Sequence, residues 1–320
     1  MFERSNNPRR IDLHLPQSWN HCTTEELEAI AAAIIDEQQR TGRYHPFDWQ
    51  RVKLAAALAI NEISVFRNVE MSRGGGRNVE MPKFRNVEAG AAAADEWLVS
   101  RPEDSEPWAV SVGQLLALTD RLSWIDDEKS DKTVFLFPYP TLTLEAGGEK
   151  SEVAGPPPLL DGYTWREYRW LTDWMQEYMR LSNARRDATA AQREFLAILF
   201  KATSRNNDIS TSRNNETSPA LFDGFSPVKW QVILFWWSSL MSMLSMKFPR
   251  VFKSQPVGKH RPQRADTPWD FYNCVTATIQ KYIGGLSEQD VNNATYGTVL
   301  QQLEMMADEA AEMEKRRPSK

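Results

Sequence analysis

The side chains that most often carry chemistry are sparse in this chain of 320 residues and do not fall at catalytic spacings. Its four histidines are His14, His21, His45 and His260, and none lies in a His-Glu-x-x-His stretch. The two cysteines, Cys22 and Cys274, form no Cys-x-x-Cys pair. Those spacings matter because they put metal-binding atoms on one face of a helix or within one turn. Asp12, His14 and His21, around "LPQSW", come nearest to a metal triad, and they read better as loop residues. Gly74-Gly75-Gly76 and Gly147-Gly148 are not followed by the Lys-Ser/Thr that completes a phosphate loop. No Gly-x-Ser-x-Gly elbow is present to expose a nucleophilic serine. "DDEKSD" (126–131) gathers four acids but lacks the alternation and central glycine of a calcium loop, so it reads as a solvated segment. The expectation is a protein that is not an enzyme, with no catalytic residue, metal or cofactor assigned.

Residue types suited to binding are more frequent. "KFPRVFKSQPVGKHRPQR" (247–264) holds six Lys or Arg residues, His260 and three prolines. It reads as an extended basic linker, and Lys253, Lys259, Arg261 and Arg264 supply the charge for an alternative, nucleic-acid-associated reading. Twelve tryptophans are scattered from Trp19 to Trp269, which fits anchors in a helical core better than one exposed platform. In "TWREYRWLTDWMQEYMRL", Trp170, Trp174, Tyr178 and Leu181 make one stripe at helical spacing, while Trp165, Tyr168, Met175 and Met179 lie on other sides. A helix apolar on more than one side has to be covered on more than one side, by the core or by a second molecule. The candidate partner-binding residues are therefore Trp165, Trp170, Trp174 and Tyr178, together with Trp236 and Trp237 of "WQVILFWWSSLMSMLSM" (230–246).

That last stretch also tests for a membrane span. It is uncharged for seventeen residues, short of the roughly 20 a bilayer requires, and it carries four serines before Lys247 and Pro249. A buried core helix is the expectation. The composition agrees with a globular protein: 41% hydrophobic and 25% charged residues, with a net charge of −5 that argues against a surface built throughout to grip nucleic acid. Two cysteines about 250 residues apart read as free thiols in a reducing cytosol. "MFERSNNPRR" leads into no apolar segment, so no secretory signal is expected and the predicted location is cytoplasmic.

Helix-start signals recur. Thr23 with Glu26, Ser111 with Gln114 and Thr164 with Glu167 each have the spacing of a capping box. Asp48 precedes "WQRVKLAAALAI" as a cap. Ser226-Pro227 and Thr267-Pro268 put proline at the first helical position. A short apolar helix is predicted over 193–202, one after Pro268 ending at Gly284-Gly285, and a final amphipathic helix from about Ala294 to Arg316. The exceptions are "TVFLF" (133–137) and "TLTLEA" (141–146), β-branched and aromatic around Pro138 and Pro140, with "EKSEVA" as a short third strand. The predicted fold is mainly α, a helical domain of about seven to eight helices with a small inserted β-hairpin or meander. Its parts are an N-terminal helical region over 1–125, a β insertion over 126–160 and a C-terminal helical region over 161–320.

Two arrays repeat one short phrase, Arg-Asn-x-Glu/Asp. The first runs through Arg67, Arg77 and Arg85 in a loop over 65–95, the second through Arg205 and Arg213 in a loop over 203–219. Units of eight to ten residues, and as polar as these, are too short to stack as a solenoid. They read as insertions in tolerant loops; the alternative is a multivalent linear motif.

The order of segments carries a resemblance. "IDLHLPQSWNHCTTEELEAIA", a β-rich middle, "LDGYTWREYRWLTDWMQEYM", "FLAILFKA", "FSPVKWQVILFWW" and "YGTVLQQLEMMADEAAEMEK" together resemble uncharacterised tail-region proteins encoded by phages and prophages of Bacteroidetes. The resemblance covers most of the chain outside the two arrays. It implies a tail assembly chaperone or minor tail-assembly factor whose partner is another tail component such as a tape-measure protein, and it carries across no functional residue.

Overall fold

The computed structural model describes residues 13–42, 48–67, 96–102, 108–127, 134, 136–146, 149–202, 217–252, 276–281 and 284–316. The chain is mainly helical and divides into two compact units, the first made of 1–132 with 226–235, the second of 133–225 with 236–320.

In the first unit, helix α1 (Thr24–Thr41) starts on the expected box: the Thr23 hydroxyl accepts from the Glu26 amide and the Glu26 carboxylate accepts from the Thr23 amide. Its Leu27, Ile30, Ala31 and Ile34 recur at helical spacing and are buried. Helix α2 (Trp49–Ile60) starts on Asp48 as expected and packs against α1, with Val52 and Ala56 fully enclosed. Glu37 is buried between charges: Arg40 grips it with two bonds of 2.6 and 2.8 Å and Arg51 reaches it at 3.4 Å. Burial works to raise its pKa, but the guanidinium partners prevail and hold it below the ordinary glutamate value. Helix α3 (Val112–Arg121) starts on the Ser111–Gln114 box. Trp19 packs edge-on against Trp124 at 5.2 Å, and the Trp124 indole donates to the Pro16 carbonyl at 3.0 Å.

The first unit also holds a three-stranded antiparallel sheet that the sequence reading missed: β1 (Ser64–Arg67), β2 (Glu96–Ser100) and β3 (Trp108–Ser111), in that order. The first repeat array therefore connects two paired strands, Arg67 standing opposite Trp97, rather than forming a loop between helices alone. Val99 of β2 joins Leu54, Leu58 and Leu115 in a small core.

In the second unit the hairpin is real but shifted. β4 (Thr141–Ala146) pairs with β5 (Glu149–Ala154), and β5 pairs with a two-residue β6 (Lys201–Ala202). The "TVFLF" segment is not the first strand: Val134, Leu136 and Phe137 lie outside any strand. Pro138 and Pro140 cannot donate to a ladder, and the Phe137 ring is taken up by Trp236 at 4.8 Å, Phe200 at 5.4 Å and Tyr139 at 6.2 Å. The helix predicted over 193–202 is instead α5 (Thr189–Leu199), after which the chain turns extended into β6. The Thr217 hydroxyl donates to the Phe200 carbonyl at 2.6 Å, so the second array also begins and ends at one place.

Helix α4 (Trp165–Asn183) starts on the Thr164–Glu167 box. Helix α6 (Pro227–Lys247) starts at Pro227 as predicted; its first turns belong to the first unit and Trp236 onward to the second. Its Trp230, Ile233, Trp236, Trp237, Leu240 and Leu244 are buried, and buried Ser239 accepts from the Val134 amide at 2.8 Å. Among the described residues no helix is long and apolar enough to cross a membrane. Residues 276–281 are helical and the chain leaves them through Gly284 and Gly285, both left-handed, as expected; Thr267 and Pro268 lie outside the described residues. Ahead of the last predicted helix stands α7 (Glu288–Asn293), boxed by Ser287 and Asp290, which the sequence did not lead us to expect; the predicted helix itself is α8 (Tyr296–Arg316). Between them, Thr164 and Thr295 form an isolated bridge. The Trp165 amide donates to the Ala294 carbonyl at 2.8 Å and the Tyr296 amide to the Tyr163 carbonyl at 3.0 Å. Nearby, Leu159 and Leu160 both have φ of 54°, a left-handed conformation that costs a non-glycine residue about 1 kcal/mol or more. It is held by the fully buried Leu160 side chain and by the Tyr296 hydroxyl donating to the Leu159 carbonyl.

Two outcomes test this architecture. Replacing 68–96 by Asn-Gly, or 203–216 by Gly-Ser-Gly, should leave stability unchanged or raise it by up to about 2 kcal/mol, because each neck is already closed; a shortened chain that fails to melt cooperatively would refute it. Gly155→Ala should cost about 2–3 kcal/mol in a denaturant titration, since a Cβ there collides with the Tyr139 carbonyl and meets the Phe137 ring at 2.8 Å.

Candidate functional site

The six candidate binding aromatics separate into two groups. Trp165 is 1% exposed, and Trp236 and Trp237 are buried with it, so these three are core residues and not a surface. The physical reason differs for each place. Trp165 begins α4 on the side facing the bridge to Ala294–Tyr296 and stacks on Tyr168, which stacks in turn on Tyr296 with centroids 4.9 Å apart. Trp236 packs on Phe137, and Trp237 packs edge-on against Phe195 at 5.1 Å.

Trp170, Trp174 and Tyr178 remain, with Leu181, as a stripe of half-buried residues on the side of α4 away from Trp165, Tyr168, Leu171, Thr172 and Met175. Helical spacing produces this division: positions 165, 168, 172 and 175 share one side, positions 170, 174, 178 and 181 another. The Arg166 guanidinium lies 6.0 Å from the Trp170 ring centre, within the range of a cation–π contact. Met179, farther along α4, is 48% exposed. Methionine and tryptophan in this setting offer polarizable, adaptable apolar area to a second chain.

Polar groups surround the start of this helix. Arg166 donates to Asn293 at 3.2 Å and Arg169 to Asn292 at 3.3 Å, so α7 rests on that side of α4. Asp173 lies one turn beyond Arg169, with neither carboxylate oxygen accepting a hydrogen bond. Burial pushes it up to about 6 and the Arg169 charge only partly offsets that. Sequence reasoning missed this cluster: an Arg and an Asp four apart on a helix read as an ordinary surface pair.

The other candidates fall elsewhere. His14 pairs with Glu26 at 3.0 Å and His21 with the Ser18 hydroxyl at 2.8 Å. Asp12, His45 and His260 lie outside the described residues. Among the described residues no group of three His, Cys, Asp or Glu side chains is placed to hold a metal ion. The Cys22 thiol is pushed up to about 12, by burial first and by the Glu26 charge second, which leaves it protonated and unreactive at neutral pH. Asp126, first of the acidic run, pairs with the mostly buried Lys53 at 2.6 Å. Of the basic segment, Lys253, Lys259, Arg261 and Arg264 lie outside the described residues. At its described start, Arg250 pairs with Asp308 of α8, and Glu304 accepts from the Arg250 and Val251 amides. At that end Arg250 is thus paired with an acid, while Lys247 stands over the Phe248 ring.

No family model, no curated protein and no solved structure matches the chain.

The division of α4 into two sides makes a measurable contrast. Trp165→Ala should cost about 3–5 kcal/mol in chemical denaturation, whereas Trp170→Ala should cost about 1 kcal/mol, the scale of a half-covered side chain with one cation–π contact. Equal losses at the two positions would remove the distinction.

Proposed function

We propose that this protein is a non-enzymatic assembly factor of a phage or prophage, a tail assembly chaperone or minor tail-assembly factor that binds an apolar segment of another tail component such as a tape-measure protein. The observation that carries the reading is the second aromatic side of α4, where Trp170, Trp174, Tyr178 and Leu181 keep part of their surface outside the core while Trp165, Tyr168 and Met175 fill it. Large aromatics left half-covered in a row suit a helix-in-groove contact, in which anchors three and four residues apart meet the partner's own apolar stripe. Met179, Met305 and Met313, all exposed on α4 and α8, add surface that tolerates varied partners. The order of sequence segments, which resembles tail-region proteins, supports the same reading, under which the protein acts in the host cytoplasm.

Co-expression of the tagged protein with the tape-measure protein of the same phage or prophage provides the test. The wild type should retain the tape-measure protein on affinity resin. Trp170→Ser with Trp174→Ser should weaken retention by at least about tenfold, with the helical circular dichroism unchanged. Absence of a complex, or full retention by the double variant, would overturn the proposal.

A further inference from the structure

The last helix of the second unit carries its apolar seam past the end of the core. Along α8, Tyr296, Val299, Leu303, Met306, Ala310 and Met313 follow one another at alternating steps of three and four residues. That alternation keeps one side of a helix turned toward a neighbouring helix over its whole length. The first two positions are taken: Tyr296 and Val299 are buried, and the Tyr296 ring stacks on Tyr168 of α4. Leu303 and Met306 are half-buried, Ala310 is exposed, and Met313 is 65% exposed. Among the described residues of α8 none after Leu300 is buried, yet the helix continues to Arg316. A helix this amphipathic is normally covered along its apolar side.

The charges beside the seam restrict what can cover it. From Gln301 to Met313 the helix carries Glu304, Asp308, Glu309 and Glu312 and no lysine or arginine; Glu314 extends the run before Lys315 and Arg316 close the helix. Two of these acids already hold donors of the same chain: Asp308 pairs with Arg250, and Glu304 accepts from the Arg250 and Val251 amides. An acidic border repels nucleic acid and anionic lipid surfaces alike. It also counts against a second copy of this chain. Antiparallel pairing that meshes Leu303 with Met313 and Met306 with Ala310 sets Glu309 against its own counterpart, and parallel pairing sets Glu309 against Glu314. Both are like-charge contacts at the edge of the seam.

We propose that α8 from Leu303 to Met313 is a docking surface for a basic amphipathic helix of another protein. The partner's apolar stripe lies along Leu303, Met306, Ala310 and Met313, and its lysines or arginines meet Glu309 and the acidic field around it. The small Ala310 between two methionines leaves room for a large side chain of the partner, and methionine adapts to its shape. The seam lies on a different helix from the Trp170 stripe, and docking on it does not depend on the tail-assembly reading.

Fluorescence anisotropy on the full chain tests this with a labelled peptide of three heptads, leucine at the two seam positions, lysine at the positions flanking them and glutamine elsewhere. A second peptide carries glutamate in place of each lysine. The lysine peptide should bind at least about tenfold more tightly than the glutamate peptide and should weaken as salt rises. Ala310→Glu should weaken the lysine peptide at least about tenfold, although it makes the helix more acidic, which separates docking along the seam from general attraction between charges. Met313→Ser should weaken it several-fold, and Gln301→Ala, on the opposite side of α8, should leave it unchanged. No binding of the lysine peptide, equal binding of the two peptides, or a lysine peptide held as tightly by Ala310→Glu as by the wild type overturns the proposal. A dimer in sedimentation equilibrium that Ala310→Glu dissociates also overturns it, because the seam would then belong to a second copy.

Discussion

Two backbone hydrogen bonds, from Trp165 to Ala294 and from Tyr296 to Tyr163, decide which side of α4 is interior. They join points some 130 residues apart in sequence and bring the first turn of α8 beside the first turn of α4. Once that is done, Trp165, Tyr168 and Tyr296 stack as one column. Helical geometry then turns Trp170, Trp174 and Tyr178 away from it. The left-handed Leu159–Leu160 pair depends on the same junction, because Tyr296 supplies the donor for the Leu159 carbonyl. The second unit thus obtains both its core and its half-covered stripe from a contact that neither helix specifies alone.

The helix starts were the most legible part of the sequence, and for a local reason. A capping box is closed within four residues, so Thr23, Ser111 and Thr164 announce their helices without help from the rest of the chain. The Ser287–Asp290 box escaped notice because the shorter Asp replaces Glu or Gln at its third position. Pairing of strands is not local, which is why the first sheet was missed: β1 and β2 are separated by the whole first array, and nothing in "SVFR" names "EWLVS" as its partner. The same limit moved the hairpin. "TVFLF" has the composition of a strand, yet the Phe137 ring is worth more among Trp236 and Phe200 than in a ladder interrupted by two prolines.

The candidate site was legible only by halves. Residue type singled out the aromatics of α4 and α6, but type does not distinguish a tryptophan that fills a core from one that faces outward. Trp165 and Trp170 are five positions apart on one helix and differ only in what the bridge places against them. Asp173 was invisible for the complementary reason: its peculiarity lies in the absence of a donor, and a sequence does not record missing partners.

The first array has a bearing on how the protein acquires its structure. β2 and β3 are joined by residues 101–107, a short connection, whereas β1 must find β2 across residues 68–95. Closing the longer span is slower and entropically dearer. Loop-closure entropy therefore favours closing the β2–β3 hairpin ahead of the pairing of β1 with β2. A nascent chain emerging from the ribosome carries β1 unpaired until the full array has been synthesised, and that interval is the period in which its exposed edge is open to mispairing.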